Sequence, residues 1–292
     1  MEQQPSQPMK AATWMIGAIV SFTSMAVAGR EVSFELDTFE IMMFRSFIGI
    51  AVVMLVAGFA GTLREITRRH MSVQFIRNLC HFTGQNLWFY AITVIPLAQV
   101  FAMEFTMPIW AMFLAVFILN EPLTKPRVAT AILGFGGILI VARPWGAEIG
   151  YGIVFAAIAA MFFAATAVLT RRLTRTESIT CILFWLTVLQ GIFGVVFAGY
   201  DGDISLPSAQ TWPWIILIGL AGLVAHFCMT KALSFAPAAI VSPIDFTRLP
   251  LIAVVGMLLY NEPIQFSVVI GGLIIFAANY LNIMAETRSI RA

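Results

Sequence analysis

Asn120-Glu121-Pro122-Leu123-Thr124 closes one apolar stretch of the chain, and Asn261-Glu262-Pro263 closes another at an offset of 141 residues. Without a gap, the same offset aligns Ala91 with Ala232, Pro96 with Pro237, Ala98 with Ala239, Val100 with Val241, and Phe105-Thr106 with Phe246-Thr247. Farther upstream it aligns Ala26-Val27 with Ala167-Val168, and Arg30 with Arg171. Matches at one fixed spacing over most of the length mark a duplicated unit. The two copies divide the chain into residues 11–150 and 151–285.

Of the 292 residues, 60% are hydrophobic and 11% charged, which excludes an ordinary soluble domain. Apolar stretches long enough to cross about 30 Å of hydrocarbon as helices begin near residues 11, 38, 78, 98, 126, 151, 178, 213, 238 and 265. Each copy therefore holds five spans. Because five is odd, a continuously threaded chain inserts its second copy upside down relative to its first. The expected fold is an all-α membrane protein of ten transmembrane helices arranged as two inverted five-helix repeats, a plan with its binding site near the midplane. Lys10, an apolar run and Ala26-Val27-Ala28 together imitate a secretory signal, but the repeat claims the segment as a true span.

The cationic residues set an orientation. With both termini in the cytoplasm, inside loops hold Lys10, Arg64, Arg68, Arg69, Arg77, Lys125, Arg127, Arg171, Arg172, Arg175, Arg288 and Arg291, and outside loops hold only Arg30 and Arg143. The sequence pI near 8.5 thus reflects orientation in a cytoplasmic (inner) membrane and calls for no nucleic-acid partner. Cys80, Cys181 and Cys228 fall within spans and read as small apolar fillers rather than a metal site. No G-x-x-x-x-G-K-[ST], H-E-x-x-H or G-x-S-x-G motif occurs, so neither ATP coupling, a cofactor nor intramembrane catalysis is expected.

Glu104, Asp245 and Arg248 lie within spans, where each ionised group facing lipid would cost about 2.5–3.5 kcal/mol; they should face inward. The repeat offset maps Glu104 onto Asp245, Gln85 onto His226, Trp88 onto Met229 and Met107 onto Arg248. His81, Gln85 and Trp88 recur at i, i+4, i+7 on one helix face, and His226 and Met229 form the matching stripe. These nine residues are the expected lining of a central polar cavity. Asp245 and Arg248, at i and i+3, could also simply neutralise one another. Arg45 is expected to pair with Glu40 or the acidic loop of Glu31, Glu35 and Asp37. Pro108, Pro243 and Pro250 would free the carbonyls of Glu104, Ala239 and Phe246, interrupting the charged helices and offering hinges. Gly134, Gly136, Gly137, Gly271 and Gly272 suit close helix packing, within the chain or in a homodimer through spans 5 and 10.

Asn120-Glu121-Pro122-Leu123-Thr124, its echo at 261–263, the Ala-Pro pattern leading into spans 4 and 9, and Arg45 resemble ten-span exporters of the drug/metabolite transporter superfamily, of the EamA type. The resemblance covers nearly the whole chain and is strongest to exporters of amino acids, aromatic ones included. It implies a secondary transporter that exports amino acids or related zwitterions by alternating access, with efflux of organic cations as the alternative. Glu104 or Asp245 would take the ammonium, Arg248 the carboxylate, and Met107, Met229 and Trp88 the side chain. Proton antiport and facilitated diffusion both remain open.

Overall fold

A computed structural model describes residues 8–119, 125–142, 150–174, 176–200, 202–235, 244–245 and 247–291. Among these residues the chain is helical throughout, with no strand. The helices are α1 (Pro8–Val32), α2 (Thr38–Ala60), α3 (Met71–Val94), α4 (Leu97–Glu104), α5 (Met107–Leu119), α6 (Lys125–Ala142), α7 (Tyr151–Leu173), α8 (Ile179–Ala198), α9 (Trp212–Phe235), α10 (Arg248–Tyr260) and α11 (Phe266–Arg291). A single 3-10 turn covers Leu63–Glu65. Five described helices, α1, α2, α7, α8 and α9, are both long and apolar enough for a full crossing. The others are shorter, or, like α3 with Gln74, Arg77, Asn78, His81, Gln85 and Asn86, carry too many polar groups on a buried face.

Local chemistry sets the ends. Asp37 caps α2 by accepting from Glu40 N–H at 2.8 Å, while Glu40 accepts from Asp37 N–H at 2.9 Å, a reciprocal box that fixes the helix start. Gly61, at φ 69°, stops α2 in the left-handed region that suits glycine. Asn261 does the same for α10 at φ 53°; Glu262 N–H then reaches back to the Gly256 carbonyl, and Pro263 cannot resume the helix. Asn-Glu-Pro is thus a helix stop. Its first copy, residues 120–122, lies outside the described residues.

The duplication is visible in the helix ends. Starts of α2, α3, α5 and α6 recur at the same offset as the starts of α8, α9, α10 and α11, and the ends of α1, α3 and α5 recur as those of α7, α9 and α10. Packing follows the same exchange: α1 lies against α9 and α3 against α7, while α2 meets α8 and α6 meets α11. The equivalent helices run antiparallel. Gly194 lies against Met43 and Gly49 against Thr187; similarly Gly137 meets Ile275 and the Gly271 carbonyl, and Gly271 meets Val141. A Cβ at Gly137 would stand 2.9 Å from the Gly271 carbonyl, and one at Gly271 would stand 2.7 Å from the Gly137 carbonyl. These glycines serve a contact inside the chain, so the homodimer expectation loses the feature it stood on. Gly134 and Gly272 are filled likewise by Ile109 and Leu249, and Gly136 faces open space.

α1 is an integral part of the bundle: Ala26 and Ala28, the signal-like positions, are fully buried. The span expected from residue 98 is broken. Its first piece, α4, is enclosed on nearly every side, with Leu97, Val100, Phe101, Ala102 and Met103 all inaccessible. The break falls at Phe105 and Thr106, where Ile109 N–H bonds to the Thr106 carbonyl to start α5, and Pro108 suits this first turn because its missing N–H needs no partner there. Asn279 from α11 donates to the Phe105 carbonyl at 3.1 Å, satisfying backbone that the break exposes.

Candidate functional site

Arg248 opens α10, and its guanidinium lies between the two halves. One terminal nitrogen donates to Glu104 Oε1 at 3.2 Å and to Asp245 Oδ2 at 3.1 Å. Three phenylalanine rings surround the same group: Phe22 at 4.6 Å, Phe101 at 5.0 Å and Phe105 at 5.2 Å from ring centre to guanidinium carbon. Each ring presents its negative face to the cation. α1 supplies Phe22, the broken α4 supplies Phe101 and Glu104, and the break itself supplies Phe105. Trp88 on α3 donates its indole N–H to the other Glu104 oxygen at 2.9 Å. Glu104 therefore bonds to neighbours from both halves, a partnership the sequence does not supply locally.

An aromatic row leads away from Arg248. His226 packs edge-on against Phe22 at 5.6 Å, His81 lies 6.5 Å from His226, and Phe163 lies 6.0 Å from His81. Gln85, one turn above His81 on α3, accepts from Arg45. Both ring nitrogens of His81, the Arg248 Nε and Asp245 Oδ1 are buried with no hydrogen-bond partner. Buried polar atoms are almost always bonded, so these four mark polar capacity that the chain's own side chains leave unused.

Seven of the nine sequence-expected lining residues, His81, Gln85, Trp88, Glu104, His226, Asp245 and Arg248, lie in this connected cluster. The other two, Met229 and Met107, are described by their own helices. Met229 packs with Met15 and Ala232 at the seam of α1 and α9, and Met107 is half-buried at the start of α5. Pro108 and Pro250 stand second and third in α5 and α10, at first-turn positions where the missing N–H would have had no partner. Pro243 lies outside the described residues. Arg45 corrects an expectation: it does not reach Glu40. Five residues turn a helix by about 140°, which places the two on opposite faces, and Glu40 is occupied by the Asp37 and Ser205 backbone N–H groups. The Phe cage and the pairing of Arg45 with Gln85 escaped the sequence reading, although the repeated Phe105-Thr106 dipeptide lies at the break.

A helical membrane bundle with a caged ion cluster held between its two sequence repeats has the architecture of a solute transporter. Residues 9–143 and 150–284 each match the EamA-like transporter family, and the chain belongs to it. It is 25% identical over 276 residues to an S-adenosylmethionine uptake transporter of Rickettsia conorii, covering 94% of this chain and 93% of that protein. It is 26% identical over 290 residues to a riboflavin transporter of Rhizobium johnstonii, covering 98% and 94%, and 29% identical over 201 residues to one of Brucella anthropi, covering 68% and 71%. A crystal structure with 17% sequence identity shares the fold at a TM-score of 0.66 over 95% of this chain and 98% of that one. The chain is a membrane transporter and not an enzyme.

Proposed function

We propose that the chain carries an organic zwitterion built on an amino acid, such as S-adenosylmethionine, across the cytoplasmic membrane by alternating access of two inverted repeats. The observation that carries this reading is the seat of Arg248: two carboxylates and three aromatic faces hold a cation there, and the cation is itself a carboxylate receptor. An incoming ammonium or sulfonium competes with Arg248 for Glu104, Asp245 and the Phe22, Phe101 and Phe105 faces. The displaced guanidinium is then free to take the substrate carboxylate through paired N–H donors. Trp88 keeps Glu104 aimed as the partners exchange.

Uptake, as the name of the Rickettsia relative states, and export, as the amino-acid-exporter resemblance implies, use the same site; the solute gradient sets the direction. In this reading the termini face the cytoplasm, which the bias of cationic residues toward that side supports. Pro108 and Pro250, in the first turns of α5 and α10, are hinges of this reading, with Pro243 added from sequence alone. Efflux of a simple organic cation is the second reading, favoured by two carboxylates facing one guanidinium.

Counterflow in liposomes tests the assignment, with labelled S-adenosylmethionine, phenylalanine, riboflavin and tetraphenylphosphonium as substrates. Saturable exchange of S-adenosylmethionine or phenylalanine, abolished by Glu104→Gln, is expected. Exchange of tetraphenylphosphonium alone would select the cation reading, and riboflavin alone would overturn both.

A further inference from the structure

A second ion pair ties the halves together away from the central cluster. Arg30, near the end of α1, bonds to Glu262 in the turn after α10. The remaining donors of Arg30 go to the Ile92 carbonyl and, at 2.8 Å, to the Ile95 carbonyl, at the end of α3. Its guanidinium stacks on Tyr260 at 4.6 Å, and the Tyr260 hydroxyl donates to Glu31 at 2.9 Å. The second Glu262 oxygen accepts from Leu97 N–H at 2.9 Å, at the start of α4. Four helix ends thus meet on one arginine and one glutamate. Arg30 is 7% exposed, well inside the bundle end.

The position is informative. Arg30 is eight residues beyond Phe22 on α1, about 12 Å, and Tyr260 is twelve residues beyond Arg248 on α10, about 18 Å. The pair therefore lies between the central cluster and one end of the bundle. A cavity of about 280 Å³ borders it, lined by Arg30, Ser33, Thr93, Pro96 and Glu262 among others. Arg30 stands on α1 beside the α3–α4 turn and Glu262 in the turn after α10, so any opening between these elements at this end separates Arg30 from Glu262.

We propose that Arg30 and Glu262 form the gate at this end, a latch that closes the outer side of the central site when joined and parts when the site opens outward. The inference rests on the transporter class and on the proposed placing of the termini, and not on the identity of the solute. The repeat adds a counterpart by sequence register alone: the offset carries Arg30 to Arg171 and Glu262 to Glu121. Those two side chains lie outside the described residues.

The test needs no substrate. In full-length protein with Cys80, Cys181 and Cys228 replaced by alanine, a single reporter Gln85→Cys is labelled in proteoliposomes by a membrane-impermeant thiol reagent. Glu262→Gln is expected to raise labelling from the Arg30 side at least tenfold and to lower it from the other, whereas Glu121→Gln is expected to do the reverse. In a second variant, Arg30→Cys with Glu262→Cys, joining the two by a cleavable bifunctional thiol reagent before a reporter amine at position 85 is probed should close that side, and cleavage should reopen it. Equal acceleration from both sides, or unchanged labelling in protein that elutes as a single folded species, would overturn the latch.

Discussion

Replacing Arg248 by methionine leaves Glu104 and Asp245 as two buried carboxylates within reach of one vanished cation. Removing one member of a buried ionic cluster in this way costs about 3–5 kcal/mol, because the remaining charges are no longer compensated. The loss of three cation–ring contacts adds about 0.5–1 kcal/mol for the partly accessible Phe22 and up to about 2 kcal/mol each for the buried Phe101 and Phe105. Arg248→Met should therefore lower the detergent-solubilised Tm by on the order of 10 °C. Neutralising the partners reverses most of that penalty: Arg248→Met with Glu104→Gln and Asp245→Asn leaves no buried charge, and such replacements are often neutral in stability. Thermal unfolding of the single and triple variants, with counterflow measured on both, separates structure from function. The triple variant should recover most of the Tm and still fail to transport. An unchanged Tm in the single variant, or transport in the triple variant, would refute the reasoning.

Trp88→Phe removes the indole donor to Glu104 while keeping the ring, so substrate affinity should fall about tenfold or more for a lost hydrogen bond to a charged group, with Tm little changed; radioligand binding measures it. Gly137→Leu forces a side chain into the Gly271 carbonyl and Ile275 and should destabilise by about 1–3 kcal/mol or more, whereas Gly136→Ala, which meets nothing, should not; thermal unfolding compares them. Glu35, in the loop after α1, accepts from the Thr211 hydroxyl and from the Ser208 backbone and hydroxyl, and these bonds, Thr211 first, hold its carboxyl below its ordinary value. A depressed carboxyl contributes stability above the unfolded value of about 4.3 and loses it as pH falls through the lower folded value. The tie from this loop to the start of α9 should weaken only below that range, and Glu35→Gln should remove this part of the acid dependence of Tm.

Much of this architecture was legible because it follows from one-dimensional rules. Hydropathy announced an all-helical membrane chain and five helices of full crossing length, and the offset between the two Asn-Glu-Pro copies matches the helix ends that coincide. Glu104, Asp245 and Arg248 were legible for a physical reason too: charge inside hydrocarbon needs a partner, and the cost makes an inward cluster the economical arrangement. What stayed hidden depends on azimuth and on contacts between distant segments. Phe22, Phe101 and Phe105 are indistinguishable in sequence from any of the 25 phenylalanines. Arg45 and Glu40 are near in sequence but a rotation of about 140° separates them, and Arg45 bonds instead to Gln85 on α3. Met107 and Met229 satisfied helical spacing, but spacing along one helix cannot say which neighbour covers that face. The Arg30–Glu262 pair was in view as two separate repeat matches, and only the meeting of α1 with the turn after α10 joined them.

Equilibrium binding of labelled S-adenosylmethionine to the purified protein and to the charge-neutral triple variant addresses the central Arg248 cluster most directly. Saturable binding to the parent protein and none to the equally folded triple variant is the predicted result. Undiminished binding by the triple variant would contradict a substrate seat built on Glu104, Asp245 and Arg248.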